Sequence, residues 1–386
     1  MGLAQIPEYA IFHTMRNFTL SGNSGSSARP SMRELHDQAL EQIRVMLPPS
    51  WNIKAEWEPQ VPGPVEPDAV WSLSGPDGQQ TTLLVEVKSR SIEPREIHLM
   101  SQKLGVMRSR LRSLIPTSAS ILISTYLSPR AREMLDASGT SYIDATGNVR
   151  LQSAVPALFI STGGATKDPW RENRPILSLK GPAAARVVRA LADFRPPYRA
   201  REVAERSHTP ASSVSRILDF LDREALLMRE PRGAVTEVKV ADLIRRWTKD
   251  YDLTRTNHVT SLLEPRGIDA LLRKLRNTEL SYAATASLGA AAVAPYAATR
   301  LAVLYVPSVT QPAATLGLRN VETGANVLLV EPFDSVVFER TRLADGLCVA
   351  AISQVAADLL TSPGRGPAEG EELLRWMEDH EDSWRR

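Results

Sequence analysis

The 386-residue chain has a single cysteine, Cys348, which excludes an intramolecular disulfide and fits a reducing cytoplasm. Its six histidines are scattered, and no Cys/His spacing suggests a zinc site. No apolar run reaches the roughly eighteen residues that a membrane helix needs. Residues 1–30 lack a basic stretch followed by an apolar one, so they do not read as a secretory signal. Net charge is also small: the formal value is +2, which argues against a protein that coats nucleic acid indiscriminately. Any DNA affinity has to come from a local patch.

Lysine is scarce too, with eight lysines against thirty-eight arginines. A GC-rich genome accounts for such an excess without any ligand. Arginine nevertheless suits phosphate and guanine, because its planar fork bonds two acceptors at once. At 43% hydrophobic and 23% charged the chain is an ordinary folded one, and its length argues for two or three domains.

Residues 21–31, SGNSGSSARPS, form a polar lead-in, and Met32 starts a good helix. Leu35, Ala39, Leu40, Ile43 and Leu47 recur at helical spacing. Strand-like runs follow at 52–57, 69–74 and 82–89, then a helix over 94–114, a strand at 120–125, a short helix after Pro129, and strands at 142–144 and 148–151. The turn Ala145-Thr146-Gly147-Asn148 explains Asp144 and Asn148 better as hairpin residues than as a site. A polar stretch rich in glycine and proline at 162–175 marks a boundary. From 180 to 239 the pattern is three helices and a hairpin, and the segment up to 263 reads as a helical connector. Beyond it, helices mix with strands such as 301–306 and 326–331, and an acidic amphipathic helix follows Pro367.

The centre of the chain carries the densest signal. Ala184, Val187, Val188 and Leu191 make one apolar stripe, and 201–207 is a short second helix with Val203 and Ala204 inward. In the third helix Thr209 reads as the cap, Pro210 as the first residue, and Val214, Ile217, Leu218 and Leu221 as the buried stripe. Its other face offers Ser212, Ser213, Ser215, Arg216 and Asp219. Short polar side chains at a helix N-terminus let the backbone approach a major groove, and Arg216 suits guanine or phosphate. The hairpin 227–238, with Arg232 at its tip, reads as a wing. Ten arginines and seven acidic residues between 186 and 232 leave this part near +3. The pattern resembles the winged helix-turn-helix of bacterial transcriptional regulators, which implies DNA binding by Thr209, Ser212, Ser213, Ser215, Arg216 and Arg232. A plain helical linker, or a winged helix used for protein contacts, is the alternative.

In LLVEVKS, Leu83, Val85 and Val87 point to one side and Leu84, Glu86 and Lys88 to the other. A carboxylate and an amine on an otherwise apolar face need partners or a metal. Pro67-Asp68 with Glu86-Val87-Lys88 resembles the PD-(D/E)xK restriction-endonuclease-like superfamily. That resemblance implies Asp68 and Glu86 as Mg²⁺ ligands and Lys88 as the group that positions water or phosphate, with Glu34 or Glu41 from the first helix completing the set. The alternative is the same fold retained for contacts without cleavage.

The region 180–377 resembles the AbiEi-type antitoxin and regulator family. This implies a DNA-binding winged helix, often on the protein's own promoter, a toxin partner, and a C-terminal domain that aids binding or oligomerisation. The nuclease-like part departs from the short antitoxin pattern. TASLGAA is faintly similar to a nucleotidyltransferase phosphate loop, but Ala286 replaces the glycine before Ser287 and the following strand carries no carboxylates.

The chain thus reads as an α/β and α+β multidomain protein. A flexible segment spans 1–31, a restriction-endonuclease-like α/β domain 32–165, a winged helix-turn-helix 176–250 and a C-terminal α/β domain 257–386. The expected function is a cytoplasmic, nucleoid-associated transcriptional regulator of double-stranded DNA, autoregulatory or linked to phage defence. Homodimeric binding of paired half-sites is expected, and no cofactor is needed for it. The alternatives are a Mg²⁺-dependent nuclease aimed by the winged helix, and an interaction scaffold without DNA contact.

Overall fold

The computed structural model describes residues 30–60, 66–111, 117–170, 178–230, 233–296 and 298–386. The chain divides into two compact units, Met1–Asn173 and Arg174–Arg386.

In the first unit, helix α1 (Met32–Met46) opens with Ser31 as a capping-box residue and buries Leu35, Ala39, Leu40 and Ile43, the helical stripe seen in the sequence. Strands β1 (Asn52–Trp57), β2 (Ala69–Ser74) and β3 (Gln80–Lys88) form an antiparallel meander. Helix α2 (Pro94–Leu111) crosses to β4 (Ser118–Ser124), and α3 (Pro129–Ala137) crosses to β5 (Ser141–Asp144). Both crossovers give parallel pairs, β3 with β4 and β4 with β5. Strands β6 (Val149–Ser153) and β7 (Leu158–Thr162) close the sheet antiparallel, in the order β1 to β7 among the described residues.

The two faces of this sheet have different covers. Leu83, Val85, Val87, Ala69, Trp71, Ile121 and Ile123 form one core with α1. On the opposite face Leu84 packs with Leu104, Met107 and Leu111 of α2, while Leu122 and Tyr142 pack with Leu127, Ala131 and Leu135 around α3. The period-two alternation of β3 therefore places Glu86 and Lys88 on the α2 side, away from α1.

The second unit begins with α4 (Pro182–Asp193), α5 (Ala200–Arg206) and α6 (Ala211–Arg223). A two-stranded hairpin follows, β8 (Leu227–Arg229) with β9 (Val235–Val238), extended by a bridge from Tyr198 to Val235. Next come α7 (Val240–Trp247), α8 (Leu253–Thr256) and β10 (His258–Leu263). The helical connector expected up to 263 thus ends early: 258–263 is a strand, paired antiparallel with a later strand at 327–331. Its Val-Thr-Ser run favours extended backbone over helix.

The remaining elements are α9 (Ile268–Arg276), β11 (Ala283–Thr285), α10 (Ala286–Ala290), β12 (Ala302–Tyr305), α11 (Thr310–Leu316), β13 (Arg319–Asn320) and β14 (Val327–Glu331). A 3₁₀ turn at Ser335–Phe338 leads to β15 (Arg342–Ala344), β16 (Leu347–Val349), α12 (Ile352–Leu360), α13 (Gly366–Asp379) and α14 (Glu381–Trp384). Among the described residues the mixed sheet runs β13-β10-β14-β12-β11-β16-β15.

One hydrophobic core serves the whole second unit. It joins Val187, Val188 and Leu191 of α4, Leu218 and Leu221 of α6, Trp247 of α7, Leu304 and Leu329 of the mixed sheet, Val355 of α12 and Leu373 of α13. No helix among the described residues is long and apolar enough to cross a membrane.

Candidate nucleic-acid interface and carboxylate cluster

Helix α6 is strongly two-sided. Val214, Ile217, Leu218, Phe220 and Leu221 are buried, while Ser212, Ser215, Arg216 and Asp219 are exposed and Ser213 is half-buried. Arg216 lies back along its own helix, with Nε donating to the Ser212 carbonyl at 3.3 Å. Asp219 pairs with Arg229 of β8, which ties the hairpin to the exposed side of α6. Arg201 on α5 forms an exposed pair with Glu205 at 3.0 Å, and Arg206 lies 4.6 Å over the Phe194 ring.

Thr209 departs from its expected place. The helix cap is Pro210 rather than Thr209, and Thr209 is buried with its hydroxyl donating to the Ser207 carbonyl at 2.9 Å. Its backbone N–H donates to the Ala204 carbonyl at 3.1 Å. Thr209 holds the turn between α5 and α6 together and presents no hydroxyl to a ligand. His208 beside it is forced to a φ of 46°, the left-handed region. Arg232, expected at the wing tip, lies outside the described residues.

In the first unit Asp68, Glu86 and Lys88 converge. Ala69 of β2 pairs with Val85 of β3, which places Asp68 beside the end of β3. Asp68 Oδ2 accepts from the Val87 backbone N–H at 2.7 Å and lies 3.8 Å from Lys88 Nζ. Lys88 also donates to Glu86 Oε1 and, at 3.2 Å, to the Val87 carbonyl. Three oxygens therefore surround one ammonium group. Burial, reinforced by the neighbouring Glu86 charge, pushes the Asp68 carboxyl above its ordinary range.

A fourth member was not legible in the sequence. Lys103 of α2 donates to both oxygens of Glu86, at 2.7 and 2.6 Å. No short-range motif links it to Glu86; only the packing of α2 on the sheet brings them together. Glu34 and Glu41 do not join the cluster. They belong to α1, which covers the opposite face of the sheet. Glu34 is the capping-box residue, accepting from the Ser31 N–H at 2.8 Å, which holds its pKa below the ordinary value. Glu41 pairs with Arg44 at 3.6 Å. Among the described residues no group of three or more His, Cys, Asp or Glu is placed to hold a metal ion.

The oxygens around Lys88, two carboxylates and a backbone carbonyl, are hard donors of the kind Mg²⁺ accepts. The cation that these oxygens hold is the Lys88 ammonium group. Asp144, by contrast, is spent on its own turn and on the segment after β4, accepting from Thr146 N, Thr146 Oγ1, Asn148 N and Asn148 Nδ2 and from Leu127 N.

Residues 184–231 match the model of the IclR helix-turn-helix domain, so this part of the chain is a helix-turn-helix DNA-binding domain. No curated protein matches the chain. A solved structure of EndoMS in apo form is similar at 16% identity over 30% of this chain and 46% of that one, with a TM-score of 0.20. A likeness that low carries no argument about fold or function.

Proposed function

We propose that this protein is a transcriptional regulator that reads double-stranded DNA with the exposed face of α6. The observation that carries this reading is the two-sided α6 inside a stretch that matches a helix-turn-helix domain. Ser212, Ser213 and Ser215 let the backbone come close to the groove, and Arg216 supplies a forked donor to guanine or phosphate. The test is selection of bound sequences from a random duplex pool, followed by native gel shifts with Arg216→Ala. Loss of a bidentate base contact weakens the selected site by about 1–3 kcal/mol and relaxes one position. A variant that binds every duplex as the wild type does removes Arg216 from the interface.

The AbiEi-type resemblance of 180–377 adds finer expectations: control of the protein's own promoter, a toxin partner, and homodimers on paired half-sites. Gel shifts on the upstream DNA and sedimentation of the complex test them. Action in the cytoplasm at the nucleoid, and a link to phage defence, belong to the same reading.

The convergence of Asp68, Glu86 and Lys88 supports a second reading, a Mg²⁺-dependent nuclease directed by the helix-turn-helix. Asp68, Glu86 and the Val87 carbonyl would hold the cation, which when bound supplies Lewis-acid stabilisation of phosphate charge. Lys88 would orient the phosphate or the attacking water. Plasmid incubated with Mg²⁺ or EDTA, with Lys88→Ala beside the wild type, separates the readings. Metal-dependent cutting lost in the variant supports the nuclease, and DNA that shifts but stays intact leaves the regulator standing.

A further inference from the structure

Glu86 is 1% exposed, and a carboxylate that deep requires cationic partners. It has two, Lys88 on its own strand and Lys103 on α2. The formal charges of Asp68 and Glu86 are cancelled by those of Lys88 and Lys103. A divalent cation approaching this cluster meets a neutral site, not a dianionic one.

The two lysines differ in how they are held. Lys88 lies at the end of β3 and contacts Glu86, Val87 and Asp68. Lys103 reaches Glu86 from a separate element, and its donors engage both carboxylate oxygens. Its side chain is 36% exposed, so the ammonium group has solvent to move into, while Leu104 beside it stays locked against Leu84.

We propose that Lys103 is a latch on divalent-cation binding at Asp68 and Glu86. Its ammonium group occupies both Glu86 oxygens that the cation needs, so the cation loads only as Lys103 withdraws and Lys88, which shares Glu86 Oε1, turns from the carboxylates toward phosphate or water. This deepens the nuclease reading and rests on it. Lys103 is a positioning residue that sets the cation affinity of the cluster through Glu86.

The test is Mn²⁺ binding to the full chain, read as loss of the free-ion electron paramagnetic resonance signal, without DNA and without turnover. Lys103→Met is expected to bind Mn²⁺ at least about tenfold more tightly than the wild type, because a competing unit charge has gone. Lys103→Gln, which keeps a donor to Glu86 but loses the charge, should follow it and covers the case in which the methionine variant does not fold. Lys103→Arg should stay at the wild-type affinity, and Glu86→Gln should remove binding. If Lys103→Met and Lys103→Gln bind no tighter than the wild type, the latch is wrong while the cation site stands. If neither the wild type nor any lysine variant binds Mn²⁺ at millimolar concentrations, the latch and the nuclease reading fall together.

Discussion

Arg189 is fully buried on the first helix of the helix-turn-helix, yet most of its partners lie far along the chain. It pairs with Asp193 at 3.1 Å and donates to the Val336 and Glu339 carbonyls and to Gln354 Oε1 at 3.1–3.2 Å. Asp193 in turn accepts from Arg340 at 2.6 Å and from Ser353. Replacing Arg189 by Met removes the donor to the Glu339 carbonyl and Gln354 Oε1 and takes one of two guanidinium partners from the buried Asp193, so it should destabilise the fold by roughly 3 kcal/mol. A urea titration followed by tryptophan fluorescence reads that loss as a lower midpoint. Nearby, Asp358 is wholly buried and accepts from Tyr251, Tyr305, Gln354 and Thr285. Burial lifts its carboxyl above the ordinary range against those hydrogen bonds. The native state thus holds this proton to higher pH than the unfolded chain does. Its contribution is fully present below the unfolded value and is lost as pH rises through the folded one. Asp358→Asn cannot titrate there, so its stability relative to the wild type should climb with pH from about pH 4 upward. Urea midpoints collected across that range check it; a constant difference would refute the lifted pKa.

Elements whose logic is local were legible in the sequence, and those fixed by distant partners were not. The stripe of α6 and the alternation of β3 follow from helical and strand periods alone, and the structure shows both. So does the convergence of Asp68, Glu86 and Lys88, because two adjacent antiparallel strands set it. Lys103 escaped because it comes from a crossover helix, and Glu34 and Glu41 misled because nothing in the sequence says which face α1 covers. Thr209 looked like a cap from its residue type, but the turn it sits in needs its hydroxyl inward. That turn also offers a prediction. His208 sits exposed at a φ of 46°, a conformation costing a non-glycine residue roughly 1–2 kcal/mol. His208→Gly removes that strain and adds about 0.5–1 kcal/mol of unfolded-state entropy, so the variant should be more stable by roughly 0–1.5 kcal/mol. A thermal melt should show a small rise in Tm, and a fall would mean that the imidazole itself holds the turn.

At the scale of the molecule, the core of the second unit decides which pieces can stand alone. Residues from Leu179 to Met377 contribute to one continuous cluster, and the helix-turn-helix has no separate core inside it. Helices α4 and α7 pack against α12, and α7 also packs against α13. Arg186 of α4 grips Asp334 with Nε at 3.0 and 3.1 Å and Nη2 at 2.8 Å. A fragment over 178–386 retains every one of these contacts and should unfold in a single cooperative step with the DNA affinity of the full chain. A fragment over 178–256 strips Val187, Val188 and Trp247 of their cover on α12 and α13, exposing several large apolar side chains at about 1.5–3 kcal/mol each. It should lack a cooperative urea transition and bind DNA weakly or not at all. Circular dichroism and gel shifts on the two fragments read this directly. If the short fragment folds and binds like the long one, α12 and α13 are dispensable cover, and DNA reading is confined to the helix-turn-helix. If only the long fragment does, α12, α13 and the 3₁₀ turn hold the reading head in shape, and changes at that turn can reach α4 through Arg186 and Arg189.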